Sequence, residues 1–135
     1  MSKGKVEHIN PEGLHAMGYS NVIAVSGNVK TIYIGGQDSV DAKGNIVGEG
    51  DLAKQVEQTL KNVEIALKAA DAKRENVIKW NIHMVAGQDV RSGYEVFQKW
   101  WGDRGNPPAV TMTFVTALAR PEFLCEIDAI AIVPE

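Results

Sequence analysis

The sequence predicts an α+β fold in which two helices pack on one face of a mixed sheet. Two stretches place apolar residues at steps of three and four, the period of an amphipathic helix. Shorter stretches are apolar-rich or alternate apolar with polar residues, as strands do. The predicted order is β, ββ, α, β, α, ββ, and one layer of helices on one sheet is the simplest way to pack it.

The N-terminal part is predicted to form strands joined by loops. Residues 4–8 are predicted to form a short strand, and residues 10–21 are predicted to form the loop that follows it. Val22–Val25 and Thr31–Ile34 are predicted as a hairpin, because Ser26-Gly27-Asn28 between them is a plausible turn.

From Asp51 the pattern changes to the helical period. Asp51 is a suitable N-cap, and neither Gly nor Pro interrupts the chain from there to Ala70. One apolar face results, formed by Leu52, Val56, Leu60, Val63 and Leu67.

The next two elements are a strand and a second helix. Residues 77–85 alternate, with Trp80 on the apolar side and His83 on the polar side, which predicts a half-buried strand. Residues 89–101 return to helical spacing, and Gly102 is a natural stop. Two further strands follow the breaker cluster around Pro107 and Pro108.

The closing strand has two apolar-rich faces, although helices are predicted to cover only one. One face carries Cys125 and Ile127, whereas the other carries Glu126 and Asp128 among isoleucines. Large apolar patches are seldom left in water, so we expect a homo-oligomer to cover the second face. An unpaired buried charge is very unfavourable, so Glu126 should lie at the sheet end, at a subunit contact or in a site.

The composition restricts the class of protein. A chain of 135 residues fits a single domain over residues 1–135, and a net charge of -3 gives no electrostatic basis for binding nucleic acid. The lone Cys125 suits a reducing compartment, and no apolar stretch reaches membrane-spanning length, so a cytoplasmic protein is expected. Three histidines without ligand spacing predict no metal site.

Five blocks of the sequence, in order, resemble the YjgF family, also called the reactive-intermediate-deaminase (Rid) family or endoribonuclease L-PSP family. The block EIDAIA at 126–131 resembles the family's E-I-E-A-I-A and is the most specific. The others are IYIGGQ with VD at 32–41 (the family's S-G-Q and P-V-D), the helix at 55–70, NVIK at 76–79 (D-V-V-K) and PPA at 107–109 (P-A-R).

The resemblance implies a chorismate-mutase-like fold, assembled as a homotrimer whose sheets form a central β-barrel. It also implies a small-molecule pocket at each subunit interface, which agrees with the uncovered sheet face. Active family members hydrolyse enamines and imines, such as the imine of pyruvate, without metal or cofactor. They use an arginine that binds the substrate carboxylate and a glutamate that positions water, with a tyrosine and backbone groups closing the pocket.

These roles transfer to the chain only in part. Glu126 matches the water-positioning glutamate, Tyr19 more loosely matches the pocket tyrosine, and Gly36 matches the glycine of S-G-Q. Val110 replaces the substrate-binding arginine, and Met112 stands where a cysteine is frequent. Losing the charged donor removes a contact worth about 1.5–3 kcal/mol, so carboxylated imines should bind at least about tenfold to a hundredfold more weakly.

Two functions remain open. The first is a deaminase-type hydrolase for a small enamine or imine that needs no carboxylate anchor, with Glu126 positioning water. The second is a non-catalytic small-ligand-binding or interaction protein on the same scaffold, in which Glu126 is a structural carboxylate of the sheet end. Arg120, ten residues beyond Val110, is the nearest alternative cation.

Overall fold

The computed structural model describes residues 2–103 and 105–135. Within these ranges the order of helices and strands confirms the predicted one. The strands are β1 (Lys5–Ile9), β2 (Val22–Ser26), β3 (Val29–Gln37), β4 (Val77–Val85), β5 (Ala109–Val115) and β6 (Cys125–Pro134), and the helices are α1 (Leu52–Ala69) and α2 (Arg91–Trp101).

The main sheet has four strands in the order β3-β6-β4-β5. β6 is antiparallel to both β3 and β4, whereas β5 runs parallel to β4. The sheet is therefore mixed, as predicted.

The predicted hairpin between β2 and β3 is wrong. β2 pairs with β1 instead, in a separate two-stranded ladder that places Ile9 opposite Val22. Asn28, between β2 and β3, forms backbone hydrogen bonds with residues near both termini. Its N–H donates to the carbonyl of Ser2 at 3.1 Å, and its carbonyl accepts from the N–H of Glu135 at 2.9 Å. These bonds direct β3 to the edge of β6 rather than back onto β2.

Both helices pack on the same face of the main sheet. Asp51 caps α1, accepting a hydrogen bond from the N–H of Lys54 at 3.1 Å. The predicted apolar face of α1 is buried throughout, and Trp80 of β4 lies edge-on to Phe97 of α2, with ring centroids 5.5 Å apart. Gly93 lets the helices approach closely, because a Cβ there would lie 3.1 Å from a methyl of Val56.

The faces of β6 differ as the alternation predicts. Cys125, Ile127 and their counterparts along the strand are buried under the helices, whereas Glu126 and Asp128 are half-buried on the opposite face. On that opposite face of β3, Tyr33 is 78% exposed. Among the described residues, no helix combines the length and hydropathy that crossing a membrane requires.

Candidate functional site

The residues selected from the sequence form two groups on opposite faces of the main sheet. Tyr19, Val110 and Met112 line one cavity, which Ile127 also borders on the helix side. Glu126, the neighbour of Ile127 in β6, points to the other side because strand residues alternate. Within one chain, therefore, the candidate acid does not share a pocket with the other three side chains.

The first group lines what we call the apolar cavity, with a volume of about 230 Å³. None of the described residues that line it carries a charge. They come from the loop before β2, both helices, the residue that precedes α2 and the three strands β4, β5 and β6: Met17, Gly18, Tyr19, Val56, Ile82, Met84, Val90, Gly93, Tyr94, Phe97, Val110, Met112 and Ile127.

Tyr19 is held at the cavity by its neighbour Ser20. Ser20 is 2% exposed. Its hydroxyl donates a hydrogen bond to the carbonyl of Pro107 at 2.5 Å, and its backbone N–H donates one to the carbonyl of Pro108 at 3.0 Å. The Ser20 hydroxyl also contacts Nδ1 of His8 at 2.9 Å. These bonds fasten the loop to the start of β5, so the Tyr19 ring borders the cavity.

Val110 and Met112 reach the cavity because of the strand register. β5 is parallel to β4, with Val110 opposite Trp80 and Met112 opposite Ile82. Paired residues share a face, and Trp80 is completely buried on the helix side. Val110 is accordingly half-buried, and Met112 remains 43% exposed at the rim.

Arg120 lies elsewhere. Its guanidinium donates to the carbonyl of Gly44 at 3.2 Å and sits 5.4 Å from the ring of Phe123. It is not among the described residues that border the apolar cavity.

The second group forms what we call the acid edge: Gly36, Asp38 and Glu126. A Cβ on Gly36 would lie 2.8 Å from Cδ of Glu126 and 2.9 Å from its Oε2, so only glycine permits this approach. Burial first, and then the adjacent Glu126 carboxyl, raise the pKa of Asp38 to about 7. Oδ1 of Asp38 is buried without a hydrogen-bond partner among the described residues.

Side chains of α1 hold both segments of the acid edge in place. Nδ2 of Asn62 donates to the carbonyl oxygens of Asp38 and Val40 at 3.0 and 2.9 Å. Gln55, which is completely buried, accepts from the N–H of Leu124 at 2.9 Å and donates to the carbonyl of Glu122 at 2.9 Å. The turn after β3 and the start of β6 are thereby anchored to one helix.

Polar residues continue along the same sheet face. His83 lies opposite Glu126 across the strands, with its Nε2 at 3.5 Å from Oδ2 of Asp128. Asn81 donates to Oδ1 of Asp128 at 2.7 Å, and Nδ1 of His83 contacts the hydroxyl of Thr113 at 2.9 Å. Asp128 is thus engaged by β4.

Cys125 has no exposed surface, and burial raises the pKa of its thiol to about 11. A neutral, buried thiol is a poor nucleophile, so Cys125 acts as a core residue beside Thr59. In the described parts of the chain, no three His, Cys, Asp or Glu side chains group closely enough to hold a metal ion.

Sequence reasoning missed Asp38. The sequence feature that could have indicated it is an acid directly after the strand that ends in Gly35-Gly36-Gln37. This acid lies two residues from Gly36, which was a candidate site residue. Its importance depends on Glu126, which is distant in sequence and adjacent only in the fold.

Comparison with known proteins gives concordant results. The family model described as Endoribonuclease L-PSP matches residues 12–133. The chain is 32% identical to human 2-iminobutanoate/2-iminopropanoate deaminase over 114 residues, which cover 84% of this chain and 79% of that protein.

Solved structures of similar fold belong to the same family. The Rid-family protein YyfB of Yersinia pestis, whose function is unknown, superimposes with a TM-score of 0.83 at 29% identity, covering 95% of this chain and 98% of that one. Rv2704 of Mycobacterium tuberculosis, a member of the YjgF/YER057c/UK114 family, gives a TM-score of 0.65 at 26% identity over 96% and 100% of the chains. The fold, the family model and the related sequences together show that this chain belongs to the endoribonuclease L-PSP family, the YjgF or Rid family.

Proposed function

We propose that the protein binds a small enamine or imine lacking a carboxylate at the interface between copies of the chain, and hydrolyses it to a carbonyl compound and ammonia. The observation that carries the proposal is the separation of two incomplete half-sites. The apolar cavity offers shape without a charged side chain among its described lining residues, and the acid edge offers Glu126 on the opposite face of the sheet. A second copy that brings its cavity against the acid edge of the first would complete both.

The exposed apolar surface supports such an assembly. Tyr33 on the open sheet face is 78% exposed, while Tyr94 and Phe114, near the cavity, are each 57% exposed. Large apolar side chains exposed in both places suit an interface between copies. We therefore propose a homotrimer with one ligand site at each interface, in which Gly36 and Glu126 face Tyr19, Val110 and Met112 of the next copy. Sedimentation should give three times the chain mass of 14.7 kDa.

The proposed chemistry requires one acid and little else. Glu126 takes a proton from water as the water oxygen attacks the imine carbon, a role worth about 10²–10⁴-fold in rate for a well-placed carboxylate. Val110 in the cavity disfavours a carboxylated substrate, because a carboxylate there would lose water without gaining a charged partner. The buried, lone Cys125 suits a reducing compartment, so we place the reaction in the cytoplasm.

Ammonia release from freshly generated neutral and carboxylated imines tests the proposal. Neutral imines should be hydrolysed faster, and Glu126→Gln should lower kcat/KM by about a hundredfold or more. Asp128→Asn is the matched control, because it lies on the same face of β6 and its amide oxygen can still accept from Asn81. Equal rates for Glu126→Gln and the unaltered protein would contradict the proposal.

A second function, small-ligand binding without turnover, is favoured by one observation: no charged group is among the described residues that line the apolar cavity. Calorimetry separates the two functions. Saturable binding of a neutral imine analogue, combined with ammonia release no faster than in buffer, would support binding alone.

A further inference from the structure

Asp38 is the only other carboxylic acid of the acid edge as defined above. We infer that Asp38 is a positioning residue for the proposed hydrolysis, donating a hydrogen bond to Glu126 and storing the proton that the departing nitrogen needs. The inference rests on the proposed function and adds a residue to it. Its basis is geometric: Gly36 leaves room for Glu126 against β3, and Asp38, two residues farther along, has a buried side-chain oxygen without a partner among the described residues.

The backbone places the two carboxyl groups on adjoining segments. The absence of a side chain at Gly36 lets Glu126 lie against β3, and Asn62 fixes the backbone of Asp38 just beyond it. Oδ1 of Asp38 is buried without a hydrogen-bond partner in the described ranges, a position that favours a neutral carboxyl group over an ionised one. Two adjacent carboxylates repel, so one shared proton is the stable arrangement.

The surrounding groups support a single shared proton. β6 contributes Cys125, which is neutral because burial raises the pKa of its thiol to about 11. α1 contributes the neutral amide of Asn62, and β4 contributes His83, opposite Glu126 and paired with Asp128. With the pKa of Asp38 raised to about 7 by burial and by the adjacent Glu126 carboxyl, Asp38 carries the proton of the pair below neutral pH.

The pair can supply and take back every proton that the hydrolysis moves. Asp38 passes its proton through Glu126 to the imine nitrogen, water adds to the carbon, and the pair takes one proton from that water. The pair then returns the proton taken from water to the nitrogen of the carbinolamine. The carbon–nitrogen bond breaks, and ammonia leaves. The hydroxyl proton returns to the pair as the carbonyl forms. One water is consumed, and the pair ends as it began.

The first experiment requires no activity. Carboxyl ¹³C NMR of protein labelled at Asp and Glu should show one aspartate titrating with a midpoint near 7, and Asp38→Asn should abolish that signal. Glu126→Gln should lower the midpoint by removing the neighbouring charge. An Asp38 midpoint near its ordinary value of 3.8 would overturn the inference, whether or not the protein is an enzyme.

The second experiment separates proton storage from a structural role. Asn at position 38 keeps the shape and can donate to Glu126, but it cannot release a proton. Asp38→Asn should therefore lower kcat/KM for a neutral imine at least tenfold at pH 6 and remove the loss of activity centred near pH 7. Asp71→Asn is the control for charge, because it removes one carboxylate outside the acid edge. Asparagine tolerates the positive φ of 56° at this position.

The two failures are distinguishable. An Asp38→Asn protein with full activity and an unchanged pH profile would overturn the inference while leaving the hydrolase intact. An unaltered protein without activity on any imine would refute the hydrolysis and the role of Asp38 in it, even if the NMR titration near pH 7 showed that the pair shares a proton.

Discussion

The apolar cavity and the acid edge are built in different ways. The cavity lies among helices and strands whose periodicity is visible in the sequence, and at such packed positions side chains of similar volume can in general replace one another. The acid edge depends on the missing side chain of Gly36 and on two carboxyl groups in contact. Substitutions should therefore change the shape of the cavity more readily than the geometry of the acid edge.

The largest expected effect comes from filling the space at Gly36. Gly36→Ala places a Cβ about 2.8 Å from Cδ of Glu126 and must displace that carboxyl group. A shift of about 1 Å at a reacting group can reduce the rate by about 10²-fold. We expect such a loss in kcat/KM with little change in stability, because the displaced atoms are the far end of a flexible, half-buried side chain.

Gly35→Ala is the matched control for this change. Apart from its chain neighbours, a Cβ on Gly35 would have no atom of the described residues within 4 Å, so the variant should keep both activity and stability. Assays of imine hydrolysis and urea unfolding on both variants check the expectation. Equal behaviour of the two alanine variants would show that close approach to Glu126 is unimportant.

The second change tests the cavity by returning a cation to it. Val110→Arg places a guanidinium at the half-buried position in β5 that borders the cavity. A charge-assisted contact of about 1.5–3 kcal/mol corresponds to about tenfold to a hundredfold in affinity for a carboxylated imine. Val110→Met, of similar length but uncharged, is the control. A comparable gain in kcat/KM with methionine would attribute the effect to size rather than charge.

The third expectation concerns stability at the acid edge. The folded-state pKa of Asp38, about 7, lies above its ordinary value of 3.8, so the folded protein binds more protons between these values. The free energy of unfolding should therefore fall as pH rises from about 4 to about 7, by on the order of 1–2 kcal/mol for a partly exposed, solvent-screened pair.

Urea unfolding at fixed protein concentration checks this fall. Asp38→Asn should remove it, whereas Asp71→Asn should retain it. A stability profile that is the same in both variants would place the pH dependence outside the acid edge.

Local patterns predicted the elements better than the pairings between them. The apolar face of α1 and the alternation of β6 depend on nearby residues, and both predictions hold. The β2–β3 hairpin failed because Asn28 bonds to Ser2 and Glu135, contacts with the chain ends that local spacing does not reveal.

The separation of the two half-sites is likewise a matter of register. Val110 lies opposite Trp80, whereas Glu126 lies opposite His83, and a shift of one residue would exchange their faces. Asp38 acquires its raised pKa through burial in the fold first and through the adjacent Glu126 second. The sequence could therefore name Val110 and Glu126 as candidates, but only the sheet shows that they lie on opposite faces.

The smallest effect should come from the hydroxyl group of Tyr19. That hydroxyl donates to the carbonyl of His15 at 3.3 Å in an exposed part of the loop, and such a bond contributes about 0.5–1.5 kcal/mol at most. The loop is held chiefly by the buried Ser20, so Tyr19→Phe should change KM less than about threefold, whereas Tyr19→Ala should raise it further by removing the ring. Steady-state kinetics with a neutral imine distinguish the two. If Tyr19→Phe lost as much activity as Tyr19→Ala, the hydroxyl would have to contact the ligand, and the cavity would supply a polar group to the reaction in addition to shape.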